Sequence, residues 1–151
     1  MLVAIAQVTR KQSAFWKNDL ELWGRTVAVT KRNYRAENLY GVALTDRGRL
    51  VEGIAHYLAA LEIWPDDPEA HNNLGTARRD EGRTDDAIAE FTKAVELKPN
   101  SSSFHFNLGV VYSDKGDTAS AIREIQTALS LEPRNTEYHR ALEIIRGSDA
   151  K

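Results

Sequence analysis

The sequence predicts an all-α fold, an α-solenoid of antiparallel helix pairs. Two observations carry that prediction. The first is a fixed period. Asn73-Leu74-Gly75, Gly82, Ala87, Phe91, Ala94 and Pro99 return 34 residues later as Asn107-Leu108-Gly109, Gly116, Ala121, Ile125, Ala128 and Pro133. The same marks stand 34 residues earlier as Gly41, Gly48, Gly53, Tyr57, Ala60 and Pro65. A period of this size marks a helical unit that cannot bury its apolar side alone and so must stack on its neighbours. The second observation is helical spacing inside each unit. His71, Leu74, Gly75 and Arg78 fall at i, i+3, i+4 and i+7, and Ala87, Phe91, Ala94 and Val95 form a second single stripe.

Length and composition fit this reading. A chain of 151 residues suits one domain, residues 1–151, with a sizeable core. The formal charge of −2 leaves no overall nucleic-acid footprint. The charge is uneven, however. Residues 1–35 carry seven basic groups against Asp19 and Glu21, a net of +5, and the remainder carries −7. An end-loaded basic charge suits a phosphate or an anionic lipid surface, and solvated helix faces produce the same pattern. With no cysteine, disulfides and thiolate metal sites are excluded. No run approaches the roughly 20 apolar residues of a membrane span.

Taken in order, residues 1–33 form an N-terminal helical segment, a degenerate half-repeat. Trp16, Leu20, Trp23 and Val27 lie on one stripe, expected to dock on the next helix. In register, Trp23 takes the place of Tyr57 and Phe91, and Val29 that of Ile63 and Leu97, while Lys31 stands where a closing proline belongs. Phe15, Trp16 and Trp23 among basic residues also describe a membrane-interface belt. The three full repeats are residues 34–67, 68–101 and 102–135, each divided at a central glycine. In the second, Asp67 caps a helix opening at Pro68, Gly82 ends it in the left-handed conformation, and Thr84 caps the next. Gly75 and Ala87 are small where paired helices approach closely, and Pro99 ends the unit. Residues 136–147 form a capping helix with a Tyr138, Leu142 and Ile145 stripe, and 148–151 a polar tail.

At these residues the chain resembles the tetratricopeptide repeat (TPR) family. The asparagine-leucine-glycine of the first helix, the alanine and aromatic of the second, and the closing proline all match over residues 34–135. The resemblance implies a TPR superhelix that acts in protein–protein interaction, without catalysis, cofactor or metal. Departures are Tyr40 for leucine, Gly53 for alanine and Arg78 for an aromatic. Gly53 is expected to cost about 1 kcal/mol of helix propensity and to loosen local packing. The short apolar start, Phe15-Trp16-Lys17-Asn18 and Leu22-Trp23 also resemble the junction of bacterial multi-span glycosyltransferase-like proteins that end in such repeats. On that reading the chain is a C-terminal part lying on the periplasmic or cytoplasmic side, recruiting acceptor proteins. A third reading is a structural module that forms a homo-oligomer through its apolar N-terminus.

No phosphate-cradling glycine loop, HExxH or GxSxG is present. His71, His105 and His139 recur at the repeat period, but successive first helices lie on the order of 8–10 Å apart. One zinc ion, which reaches only about 2 Å to each nitrogen, cannot bridge them. They are expected to fill an inter-helix packing position. Function then falls to surface. By resemblance, positions 2, 5, 9 and 12–13 of each first helix line a concave peptide groove. Here these are Arg35, Asn38, Val42, Thr45 and Asp46; Glu69, Asn72, Thr76, Arg79 and Asp80; Ser103, Phe106, Val110, Ser113 and Asp114; then Arg140 and Ile144. Asn73 and Asn107 flank it. As a ladder of amides they would hold an extended peptide's backbone; alternatively they bond between helices. Asp46, Asp80 and Asp114 form an acidic row near helix C-termini, where the dipole disfavours anions. Either the row meets a basic ligand, or Arg47, Arg49 and Arg83 balance it. The family's carboxylate clamp for chaperone tails needs basic residues where this chain has Asn38, Ser103 and Asn107, so such tails are not expected partners.

Overall fold

Paired helices need short, sharply turned connections, and the sequence supplies them with a left-handed glycine inside each repeat and a proline after it. The structure, a computed structural model, describes residues 19–148. Among these every element is an α-helix: α1 (19–29), α2 (Tyr34–Thr45), α3 (Leu50–Ile63), α4 (Pro68–Asp80), α5 (Thr84–Leu97), α6 (Ser102–Lys115), α7 (Thr118–Leu131) and α8 (Thr136–Ser148). Phe15, Trp16, the apolar run at 2–6 and the tail beyond Ser148 lie outside the described residues. The described residues divide into two compact units, one ending at Pro65 and one beginning at Asp66.

The helix ends follow from local chemistry. Gly116, the C-cap of α6, has φ +83°, and Gly48 and Gly82 take the same left-handed conformation in the other two turns. Trp64, Lys98 and Glu132 precede the closing prolines and leave the helical region, as a residue before proline must. Asp67 Oδ1 accepts from the Glu69 N–H at 3.2 Å, with Pro68 in the first turn of α4. Thr84 is not a cap. The Arg83 N–H donates to the Arg78 carbonyl at 2.9 Å, closing the turn early, so Thr84 is already the first helical residue and no side chain caps α5.

In the first unit, α2 and α3 pack through Gly41 and Gly53. A Cβ on Gly41 would sit 2.6 Å from Tyr57 Cε1, and one on Gly53 2.9 Å from the Gly41 carbonyl. Gly53 therefore tightens the hairpin rather than loosening it, and Thr45 fills the space of its missing Cβ. The Thr45 hydroxyl also meets Tyr57 Oη at 3.1 Å. α1 reaches α2 at Gly24, whose Cβ would lie 3.2 Å from the Tyr40 ring. Val29, expected at a packed position, is 80% exposed because α1 ends there without a partner side chain over it.

The second unit holds two hairpins and the closing helix. Gly75 lies under the Phe91 ring, 2.9 Å from where its Cβ would be, and Gly109 under Ile125 at 2.6 Å. One apolar cluster joins Ala87 and Phe91 of α5 to Leu108 and Val111 of α6. Another joins Ala121, Ile125 and Ala128 of α7 to Tyr138, Leu142 and Ile145 of α8. At the place of Gly75 and Gly109, α8 carries the exposed Glu143, so its outer face is polar where α4 and α6 receive a second helix. Arg78, at an aromatic position, turns outward to Glu81 at 2.8 Å.

Two measurements follow. Gly109→Ala should lower unfolding stability in urea by about 1–3 kcal/mol, since Ile125 has no room to retreat. Gly147→Ala, with nothing within 4 Å, should leave stability unchanged or raise it by about 0.5–1 kcal/mol. Burial pushes the Asp67 carboxyl above its ordinary range, against the lowering effect of its backbone hydrogen bonds. A raised carboxyl contributes stability when protonated and loses it as pH rises through its folded value. Asp67→Asn keeps the cap without the charge. It should match the parent near pH 3 and be the more stable variant by about pH 7, in thermal unfolding followed across that range.

Candidate functional site

The face expected to be functional is built by the first helix of each pair. Because α2 and α4 belong to different units, each unit's part is described separately. On α2, Arg35 and Asp46 are exposed and Val42 is half-buried. Arg35 donates from Nε to Tyr34 Oη at 2.9 Å and lies over the Tyr34 ring. Asn38 does not line an open face. It is 8% exposed and is not without a partner. The physical reason is that α2 is buried around most of its circumference, at Ala36, Asn38, Gly41, Ala43 and Leu44, so a half-turn offset from the core stripe still falls inside.

The second unit shows how the polar positions are used. Asn107 Nδ2 donates to Asn72 Oδ1 at 2.9 Å, joining α6 to α4. Arg79 Nε donates to Asp114 Oδ2 across the same pair of helices. Glu69 accepts from Lys98 Nζ at 3.0 Å, Thr76 donates to the Asn72 carbonyl at 3.1 Å, and Ser103 shares a hydrogen with Ser101 at 3.1 Å. Asn73 is half-buried and has an internal partner. Asn107 thus bonds between helices. The acidic row is also broken, because Asp114 is neutralised by Arg79. The arginines expected to balance it act elsewhere: Arg47 donates to the Ala43 carbonyl, Arg49 to both oxygens of Glu52, and Arg83 pairs with Asp86.

The apolar positions of the face on this unit are only partly covered. Phe106 and Val110 are half-buried on α6, and Ile144 on α8 is 62% exposed although its neighbours Leu142 and Ile145 are core. Phe106 stacks on Tyr138, with ring centroids 4.6 Å apart. Asp80 and Arg140 are exposed. Ser113 is half-buried beside Asp114.

The histidines do more than fill space. His71 Nδ1 contacts Glu90 Oε2 at 2.7 Å, and His105 Nδ1 contacts Glu124 Oε2 at 2.8 Å. His105 Nε2 also meets the Pro99 carbonyl, and His139 Nε2 the Pro133 carbonyl, each at 2.9 Å. In the first repeat the pair is inverted, with Glu37 on α2 and His56 on α3 at 2.7 Å. The signal was legible as a histidine and a glutamate 19 residues apart in every repeat, in either order. These pairs brace hairpins and lie away from the open face. Among the described residues no group of three His, Asp or Glu side chains converges in a way that could hold a metal ion, and no helix is long and apolar enough to cross a membrane.

The two polar networks should differ in energetic weight. His105→Ala would remove the imidazole from Glu124 Oε2 and the Pro99 carbonyl in a mostly buried site, leaving Glu124 only its longer contact with Arg123, at a cost of about 1–3 kcal/mol in urea unfolding. Arg79→Ala, whose ion pair is about two-fifths exposed on both sides, should cost less than about 1 kcal/mol and lose even that at high salt.

Comparison with known proteins places this geometry. A family model described as TPR repeat matches residues 41–78 and 75–116, and one described as tetratricopeptide repeat matches residues 102–135. No curated protein sequence matches the chain. Among solved structures, the first TPR of Spaghetti (RPAP3) bound to the HSP90 peptide SRMEEVD is similar over 83% of this chain and 99% of that one, at TM-score 0.76 and 20% identity. MamA is similar over 94% of this chain and 83% of its own, at TM-score 0.82 and 16% identity. At such identities the likeness is one of fold.

Proposed function

The chain belongs to the tetratricopeptide repeat family, and from that premise we propose that it is a non-catalytic protein-interaction scaffold. It takes an extended peptide or protein segment on the open face of its first-in-pair helices. The observation that carries this reading is the division of labour on the second unit. Asn72, Asn107, Arg79 and Asp114 satisfy one another, whereas Val110 and Ile144 remain accessible, with Phe106 half-buried where it packs on Tyr138. Accessible apolar side chains suit a ligand anchored by an apolar residue. Asp80 and Arg140 at the margin set the charge it prefers nearby. The RPAP3 structure, which holds a peptide, gives this use of the fold a precedent. A chaperone-tail carboxylate is not the favoured ligand, because Asn38, Ser103 and Asn107 supply no cation where the family's clamp needs one.

A positional-scanning library of unstructured peptides tests the reading by fluorescence anisotropy. Apolar-anchored peptides should bind, and Val110→Asp should weaken them at least about tenfold, roughly 1.4 kcal/mol. Asn72→Ala with Asn107→Ala should change binding by less than about twofold, since those amides face each other. Binding lost in the amide variant but kept in Val110→Asp would reverse the assignment. No library member bound by the folded protein would remove it.

A further inference from the structure

The outer face of α3 carries an apolar stripe that the fold does not use. Val51, Ala55, Leu58 and Glu62 fall at i, i+4, i+7 and i+11, so they share one side of the helix. All four are exposed, Val51 by 75% and Leu58 by 46%. The same places on α5 are Asp85, Ala89, Thr92 and Glu96, and on α7 Ala119, Arg123, Gln126 and Ser130. Helix pairing therefore does not require an apolar residue there. Only the first repeat has large apolar side chains, Val51 and Leu58, at these places.

We infer that this stripe is a self-association surface, occupied by α3 of a second copy of the chain lying antiparallel across a two-fold axis. The pattern is its own complement. With Ala55 on the axis, Val51 of one copy faces Leu58 of the other, and the reverse, as an isologous contact demands. The charges at the two ends complete the match. Glu62, exposed and with no polar partner among the described residues, closes the stripe at its C-terminal end, and Arg49 stands just beyond its N-terminal end with its guanidinium exposed. In the antiparallel register each Glu62 meets the partner copy's Arg49, which already holds Glu52. Ala55 keeps the crossing point small, allowing the helix axes to approach to about 8–10 Å. The stripe is about 17 Å long. A contact of that size falls below the roughly 1,200 Å² of a stable interface, so the pair is a weak, reversible dimer. This surface is on a second-in-pair helix, separate from the peptide face, and the two inferences fail independently.

The chain contains no cysteine, so single cysteines report the contact cleanly. Ala55→Cys, at the axis, should form a disulfide-linked dimer under mild oxidation, since a side chain on a two-fold meets its own copy within bonding reach. Ala89→Cys, at the equivalent exposed place on α5, should do so at least about tenfold more slowly. Adding Val51→Asp and Leu58→Thr to Ala55→Cys should abolish the difference. Both substitutions install the residues α5 already carries at these places, and circular dichroism checks that the helices persist. Adding Glu62→Arg should slow the cross-link, and Arg49→Glu with Glu62→Arg should restore it. Equal cross-linking at positions 55 and 89, or a rate indifferent to Glu62→Arg, would overturn the proposal.

Discussion

Close approach at glycine is the constraint on which everything else depends. In each hairpin one glycine of the first helix lies against a large side chain of the second: Gly41 under Tyr57, Gly75 under Phe91, Gly109 under Ile125. The distances a Cβ would have to occupy, 2.6–2.9 Å, are shorter than any carbon contact tolerates. The missing methyl therefore sets the spacing of the pair. That spacing in turn buries the small alanines at 60, 94 and 128 completely. It also brings the histidine or glutamate of one helix within hydrogen-bonding distance of the other. Where a charged residue takes the glycine's place, as Glu143 does on α8, the helix presents a polar, exposed side.

The fold was largely legible because its determinants are local and periodic. A 34-residue register, a left-handed glycine per turn and a proline per repeat fix helix ends whatever surrounds them. The boundary that differed, at Thr84, was decided by a backbone hydrogen bond from Arg83 to Arg78, which side-chain types do not announce. Gly53 was misread for a related reason. Helix propensity is a one-helix quantity, and its value here came from the neighbouring Gly41 carbonyl and Thr45.

The face was harder to read. Angular position on one helix predicts which way a side chain points, and for Glu69, Thr76, Arg79, Asp80 and Arg140 that sufficed. It does not say how many sides of the helix are covered, and α2 is covered on enough of them to bury Asn38. Nor does it say which polar groups are spent on one another. The Asn72–Asn107 and Arg79–Asp114 pairs join positions 35 residues apart, one more than the repeat period, so searching at the period itself passes over them. The 19-residue histidine–glutamate spacing does not show within one column of equivalent histidines, because each pair sits across two helices.

The inverted pair in the first repeat bears on how the chain chooses among its own helices. Three hairpins of near-identical pattern offer six helices that could pair with the wrong partner while folding. A hairpin built from α2 and α5 would set Glu37 against Glu90, two carboxylates across a packed contact, and one built from α4 and α3 would set His71 against His56, leaving neither ring an acceptor carboxylate. Between the second and third repeats the same exchange would be silent, because both carry the pair in the same order. Reversing two residues thus gives the first hairpin an identity of its own, a key cut differently from the other two, inside an array whose sequence otherwise repeats itself.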